Sequence, residues 1–592
     1  MARPLIARAI DIVERKFKRE APGILVIEAP TGYGKTVAGP LIFKTVVDLG
    51  MAYSFIHSLP LRAIVRDYYL CTLLRAIIRG SSTYEKLTSI CRDEDSSILS
   101  EIGAVMSYLG INNEMVAYQM GERLEPLPGI ARKEPFFDAR YIVATLDSFI
   151  YNLFRVPVAE IFDRRKHYAI PRLRIFLSAL YLDEAHMVFE ESEEESQMFT
   201  STMEALRVLQ QMRVPVMLAS ATLAPKHLKE LRDSVSTEVY VVRLGRRDKE
   251  ENNTIEVADS DFIDKVSSIR WRTELILDQD VISKTVELVK TGLRVFIACD
   301  TVASAIQRYR EIAKRLGESR VVLLHGLMTR GDRERGLNEL RNASVLVATS
   351  VVEAGVNVSF DVLIGDGGRI PSIVQRAGRI CRNLKCDEAH VYLVRDRSLD
   401  VVSSFVEKAH SEGKEVCWRT PFDLGDCLGY LHLLEAVNMP EKDPKLRRIL
   451  SSLYTPLFIS SDTIDALLER AEYALTRVSL IETLVGFDDL KEVESRGRSI
   501  VLEHSMPLPV NRINKLLKKS CVVGLIVLYG STSVDEARIV CEASDLVDIR
   551  GSFSIKRYIA YLRGALKEER GILFFGLLIK KDCYVMGEGL KI

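Results

Sequence analysis

No stretch of this sequence is apolar for long enough to cross a bilayer. The longest such runs, 521–529 and 571–579, are nine residues each, where about 18 are needed. Residues 2–20 interleave charge with apolar side chains and lack a small-residue cleavage site, so no secretory signal is read and the cytoplasm is the expected compartment. No Cys-x-x-Cys pair occurs among the 10 Cys, the nearest neighbours being Cys381 and Cys386. Neither a zinc ribbon nor a redox pair is signalled, and most cysteines are expected to be small buried apolar residues. Gln is scarce, at seven residues, a composition compatible with a hot habitat in which thermolabile amides are depleted. Charge of neither sign prevails, because 81 basic and 81 acidic residues cancel. Any polyanion contact must therefore come from local patches and positioned backbone groups. There is no internal repeat, and the acidic run 190–195 is the pattern of a solvated loop or helix face.

The chain has 592 residues, 47% of them hydrophobic. That length exceeds what one core serves, and three or four packed units of about 150 residues are expected. From residue 23 to 245, apolar runs at 24–29, 53–59, 141–145, 180–183 and 214–220 alternate with longer amphipathic stretches. They read as parallel strands buried on both faces. A second series follows at 295–298, 321–324, 345–348 and 362–364, with a helical pattern over 301–316. The expected division is an α/β domain at 1–245, a polar linker at 246–275, a second α/β domain at 276–400 and an accessory domain at 401–592. In the accessory domain helical patterns dominate to 485, as at 463–479, and the two nine-residue apolar runs read as buried strands. Its basic stretch 512–519 suits either a solvated amphipathic helix or a docking surface.

The segment Ala29-Pro30-Thr31-Gly32-Tyr33-Gly34-Lys35-Thr36 follows an apolar strand and precedes a helix, the context of a phosphate-binding loop. Glycines there let backbone N–H groups face phosphate oxygens, Lys35 supplies a point charge and the Thr36 hydroxyl can ligate Mg²⁺. Asp183 and Glu184 end the apolar run 180–182. Adjacent carboxylates at a strand end repel unless a cation lies between them, so Asp183 is placed to hold Mg²⁺ and Glu184 to orient or deprotonate an attacking water. Ser220-Ala221-Thr222 follows another apolar strand. In Gln375-Arg376-Ala377-Gly378-Arg379-Ile380-Cys381-Arg382 the spacing of Arg379 and Arg382 predicts one helical face, from which two guanidinium groups could reach a triphosphate.

Taken in order, these segments, with SLPLRA (58–63), ATLDSF (144–149), LDEAH (182–186), ACDTVASA (298–305) and ATSVVEAGVNV (348–358), resemble the motifs of superfamily 2 helicases of the DExH/DEAH-box type. The resemblance covers roughly residues 20–400. Thr-Leu-Asp at 145–147, His325-Gly326 followed by Arg330 and Arg333, Val-Glu-Ala-Gly at 352–355 and Ser372-Ile373-Val374 ahead of Gln375 are most similar to the CRISPR-associated helicase of type I interference. The resemblance implies two tandem RecA-like parallel-sheet domains, with a C-terminal mixed, mainly helical accessory domain, hydrolysing ATP with Mg²⁺ while stepping along a nucleic-acid strand. It assigns Thr31, Gly32, Gly34, Lys35, Thr36, Gly355 and Asn357 to the nucleotide, and Thr36 and Asp183 to the metal. Catalysis falls to Glu184, Gln375, Arg379 and Arg382, coupling to Ser220 and Thr222, and strand contact to Arg62, Thr145, Thr301 and Thr349.

The sequence departs from that pattern in three places. No Gln precedes Gln119, so the upstream glutamine by which many relatives recognise adenine has no counterpart. Asn357 stands where Asp is usual and Asp300 where Asn is frequent. None of the nine His is followed by Asp, and the phosphate loop begins within 30 residues of Met1. The narrower resemblance therefore implies the split form, in which a separate HD nuclease and an RNA-guided surveillance complex are partners, with no membrane involved. The expected activity is 3′-to-5′ translocation on single-stranded DNA. An RNA helicase, and a nucleotide-gated clamp that does not unwind, remain open alternatives.

Overall fold

The computed structural model describes the chain apart from residues 1–2, 19–20, 92–95, 122–123, 125–130, 157–168, 190–194, 351–358, 368, 383, 385, 396–399, 455–479, 488–489, 531–534, 567–571 and 592. Gly355, Asn357, the 352–355 string, the helical pattern at 463–479 and most of the acidic run fall outside the described residues. Two compact units result: Met1–Ile276 with Glu353–Leu457, and Leu277–Val352 with Phe458–Ile592.

The first unit is built on nine strands: β1 (Ile24–Glu28), β2 (Ser54–Leu59), β3 (Val116–Gln119), β4 (Tyr141–Thr145), β5 (Ser178–Leu182), β6 (Val216–Ser220), β7 (Val239–Leu244), β8 (Lys249–Glu251) and β9 (Thr254–Val257). Their order is β3-β4-β2-β5-β6-β1-β7-β9-β8, parallel except for β8. β1 pairs in parallel with both β6 and β7, and its Ile24, Leu25, Val26 and Ile27 are wholly buried. Burial on both faces explains why such strands are continuous apolar runs. The helices Pro4–Lys16 and Lys35–Asp48 supply Leu5, Ala9, Ile42 and Phe43 to the core beside β1. A further parallel trio, Arg270–Ile276, Glu388–Val394 and Val362–Gly365, belongs to the same unit.

The polar stretch 246–275 is not a bare connector. Asn252 and Asn253 take positive φ, 48° and 61°, and turn β8 back antiparallel to β9, which adds to β7. Consecutive left-handed residues suit a tight hairpin, and Asn tolerates them. The charges sit on β8, an exposed edge strand.

The second unit holds the parallel strands Val295–Ala298, Val345–Ala348 and Val321–Leu324, as expected. Its five-stranded sheet runs Ser505–Pro509, Leu480–Val485, Ile572–Ile579, Val522–Tyr529, Glu536–Glu542. Its third and fourth members lie within the two nine-residue apolar runs. The basic stretch lies on the helix Val510–Lys518, which packs through Ile513 and Leu516 into this unit's core. Among the described residues no helix is long and apolar enough to cross a membrane.

The cysteines require a correction. Eight of them pair, as Cys71–Cys91, Cys381–Cys386, Cys417–Cys427 and Cys521–Cys583. Only Cys299 and Cys541 are buried outside disulfides. The Cα separations of 5.4–5.9 Å suit bridging, and such pairings follow from the fold rather than from spacing in the sequence.

Candidate nucleotide site

Strand order sets the site. β5, β6 and β1 are neighbours, so Asp183, Ser220 and the loop after Glu28 emerge side by side at the carboxyl ends of the strands, where ligand crevices form in parallel sheets. The Ala29 N–H donates to the Ser220 carbonyl at 3.0 Å and the Asp183 N–H to the Ser58 carbonyl at 3.0 Å. Gly32 and Gly34 take φ of 77° and 100°, a region in which a Cβ is strained. The helix Lys35–Asp48 then starts, its first N–H groups unpaired within the helix and facing the loop. Lys35 is buried, and its Nζ donates to the carbonyls of Ala29 (2.9 Å) and Pro30 (3.2 Å). Burial lowers its pKa, and the charges of Glu184 and Asp183 oppose that shift. Tyr181 Oη donates to the Lys35 carbonyl at 2.5 Å, and Tyr33 Oη to Asp259 at 2.6 Å, so the loop is braced on two sides.

The two carboxylates lie in different surroundings. Burial alone would raise Asp183, but His57, Lys35 and the Thr36 hydroxyl overcome it and hold the carboxyl below its ordinary value. His57 Nε2 lies 3.7 Å from Asp183, and its Nδ1 shares a 2.9 Å hydrogen bond with Tyr141 Oη, itself 3.0 Å from Tyr68 Oη. This chain of buried polar groups behind Asp183 was not legible in the sequence, because His57 sits inside an apolar strand. Glu184 is raised, by burial and by Asp183, with Lys35, Arg379 and Arg382 acting against the rise. Its backbone is left-handed at φ 53°, the kind of strain that concentrates at functional sites.

His186 joins three of the predicted segments. Its Nδ1 is 3.2 Å from Ser220 Oγ, which also accepts from the Thr222 N–H at 3.1 Å, and its Nε2 bonds the Gln375 side-chain nitrogen. Burial and the charge of Lys35 depress its pKa to about 3, so the ring is neutral. The two ring nitrogens thus link Gln375 to Ser220.

The expectation of a helical face for Arg379 and Arg382 needs correcting. The helix Ile370–Ala377 ends before them. An isolated parallel bridge pairs Phe360 with Ile380, and Cys381 is left-handed at φ 50°. The turn nonetheless carries both guanidinium groups to the loop. A Cβ on Gly378 would stand 3.1 Å from Thr31 Oγ1, and one on Gly32 3.9 Å from Arg382 Nε. Arg379 is buried, and both arginines act electrostatically on Lys35 and Glu184. Lys35, Asp183, Glu184, Gln375, Arg379 and Arg382 thus meet within one unit.

The expected strand contacts fall on two separate edges. Arg62 follows β2 and Thr145 ends β4, its neighbour in the first unit. Thr145 is buried and caps the helix Leu146–Leu153 by accepting from the Ser148 N–H at 3.3 Å. In the second unit, Thr301 caps the helix Val302–Leu316 in the same manner, at 3.1 Å from the Ser304 nitrogen, and Thr349 follows the adjacent strand. Both capping hydroxyls therefore also have a structural duty.

No group of three or more His, Cys, Asp or Glu side chains among the described residues could hold a metal alone. Thr36 and Asp183 offer one hydroxyl and one ionised carboxylate in contact. That donor set fits Mg²⁺ bound chiefly through a nucleotide's phosphates.

Comparisons with known proteins agree with the motif series. Residues 291–385 match the family model of the C-terminal part of the CRISPR-associated nuclease/helicase Cas3. The chain is 22% identical over 402 residues to a CRISPR-associated nuclease/helicase Cas3 of Streptococcus thermophilus, covering 62% of this chain and 40% of the relative. It is 22% identical over 396 residues to a CRISPR-associated helicase Cas3 of Thermoproteus tenax, covering 65% and 58%. It therefore spans about half the length of these relatives. The crystal structure of T. fusca Cas3 with AMPPNP superposes with TM-score 0.54 at 18% identity, covering 86% of this chain and 64% of the other. These findings agree with the motif reading: the chain is similar to superfamily 2 helicases of the Cas3 type and has the mixed α/β, parallel-sheet fold expected.

Proposed function

We propose, from that recognition, that the chain is an ATP-hydrolysing motor that moves 3′ to 5′ on single-stranded DNA in type I CRISPR interference. The observation that carries the reading is the meeting of Lys35, Glu184, Arg379 and Arg382 around the loop 29–36. The domain division 1–245, 276–400 and 401–592 is part of the proposal, with 246–275 connecting the first two while adding β8 and β9 to the first sheet, as are the roles of individual residues. A magnesium ion on Thr36 and Asp183 would neutralise charge on the β and γ phosphate oxygens. Lys35 neutralises the same oxygens from the protein side, and the N–H groups of the loop orient the phosphates. Glu184 aligns a water for attack at the γ phosphorus and takes its proton, a role its raised proton affinity suits. Arg379 and Arg382 meet the charge that develops on the transferred group. Gln375 senses the same region and, through His186, passes its position to Ser220 and Thr222.

Arg62 and Thr145 on one unit, and Thr301 and Thr349 on the other, are proposed to hold the strand backbone, since hydroxyl and guanidinium donors fix position without reading sequence. Gly355 and Asn357 are proposed to approach the nucleotide. Strand cutting is proposed to fall to an HD nuclease partner, recruited with an RNA-guided surveillance complex in the cytoplasm.

The test compares ATP turnover with single-stranded DNA, duplex DNA and RNA at one salt concentration, since phosphate contacts depend on ionic strength. Displacement from 3′-tailed duplexes is measured alongside. Stimulation by single-stranded DNA with displacement is expected. Equal or greater stimulation by RNA, or turnover without displacement, would overturn this reading in favour of an RNA helicase or a clamp respectively.

A further inference from the structure

Beyond the motif series, one arginine reaches the phosphate loop. Arg419 lies between the short parallel strands Glu415–Cys417 and Cys427–Gly429, in a segment closed by the Cys417–Cys427 disulfide. Its backbone is fixed on both sides. Trp418 is buried and its Nε1–H donates to Thr273 Oγ1 at 3.1 Å, while buried Thr420 donates to the Phe422 carbonyl at 3.1 Å.

Arg419 is 1% exposed. Nη1 donates to the Gly378 carbonyl at 2.9 Å, and Nη2 lies 3.6 Å from where a Cβ on Gly32 would stand. Nε is buried with no hydrogen-bond partner. Among the described residues no carboxylate pairs with Arg419, and its charged neighbours Arg382 and Arg3 have the same sign. Burial, with those neighbours, lowers its pKa to about 10, so it stays cationic near neutrality. A buried cation with unused donors and only like-charged neighbours calls for an anion. The open direction is set by Gly32, whose missing side chain leaves room beside Arg382 and Arg419 together.

We propose that Arg419 is a further phosphate-binding residue of the nucleotide site, donating to a phosphate oxygen of the bound nucleoside triphosphate over Gly32 while Nη1 remains anchored on Gly378. The proposal rests on the reading of residues 29–36 as a nucleotide loop. It differs from the roles of Arg379 and Arg382 in acting on bound nucleotide before any bond breaks. It also binds the accessory region to the site, since Arg419 lies 37 residues beyond Arg382.

The test titrates fluorescent methylanthraniloyl derivatives of ATP, ADP and adenosine into the full chain as wild type, Lys35→Ala, Arg419→Ala and Arg419→Gln. Gln is chosen because its amide can still donate to the Gly378 carbonyl but carries no charge. Both Arg419 variants are expected to lose about 10- to 100-fold in affinity for the triphosphate. A smaller loss is expected for the diphosphate and none for the nucleoside. Added guanidinium ion should restore part of the triphosphate affinity in Arg419→Ala. An equal loss for all three ligands, or wild-type affinity in Arg419→Gln, would overturn the proposal and leave Arg419 as a brace for the Gly378 turn. If Arg419→Ala does not fold, Arg419→Gln decides alone. If wild type and Lys35→Ala bind the triphosphate equally, the nucleotide loop reading fails first, and the role of Arg419 falls with it.

Discussion

Asp183 and Glu184 are chemically near-identical neighbours whose proton affinities are driven apart. Asp183 faces His57, Lys35 and the Thr36 hydroxyl and stays ionised. Glu184 carries the charge of Asp183 at its side and is raised. Separation of this kind identifies which carboxylate holds a cation and which handles a proton. Glu184→Gln should therefore retain triphosphate affinity while turnover falls by about 10²- to 10⁴-fold, the usual range for removing a general base. Arg379→Ala should likewise reduce turnover more than affinity, as its proposed role of meeting charge that develops in the transition state requires. Pairing equilibrium nucleotide titration with single-turnover hydrolysis separates the two quantities. Unchanged turnover in the Glu184 variant would remove its assigned role.

Most strands buried on both faces were legible from sequence, although the internal strand β7, buried at five of its six positions, was missed; elements that alternate or sit at edges were not. Every strand expected from an apolar run in the first 365 residues is present, because such a strand must be apolar at each position. Arg270–Ile276 was missed since its burial alternates along RWRTELI, and β8 since all three residues are exposed. The site divides similarly. Loop, carboxylates and arginines announced themselves by local spacing, whereas His57 and Arg419 are single residues brought in by the tertiary fold. The five-stranded sheet of the second unit offers an element-scale test. In the strand Ile572–Ile579, a Cβ on Gly576 would stand 2.2 Å from the Glu482 carbonyl oxygen and 2.7 Å from Phe574 Cζ. Neither the adjacent backbone nor a packed ring can yield freely. Gly576→Ala should destabilise this unit by about 1–3 kcal/mol, read as a lower urea midpoint, with nucleotide affinity unaltered because the loop lies in the other unit.

Across the whole molecule, buried histidines couple stability to acid, His57 among them, lowered by burial against the pull of Asp183. Burial lowers His186 to about 3, His227 to about 4 and His325 to about 4, from an ordinary 6.5. Their pKa values are depressed on folding, so the stability they contribute is complete above 6.5. It is lost as pH falls from there toward 4, where the unfolded chain binds protons that the native one refuses. Each histidine should contribute a loss of up to about 1.4 kcal/mol per pH unit in that window. Urea denaturation at about pH 7.5 and about pH 5.5 checks this, and an unchanged midpoint would contradict the burial of these rings. The route of the chain has a consequence for biogenesis. The first unit takes in Glu353–Leu457 after the chain has contributed Leu277–Val352 to the second. A ribosome that has finished the phosphate loop must therefore synthesise several hundred more residues before the arginines that complete it emerge. Until then the nascent polypeptide holds only half of the site, and a product truncated before Arg379 would retain Lys35 but lack the proposed arginine partners.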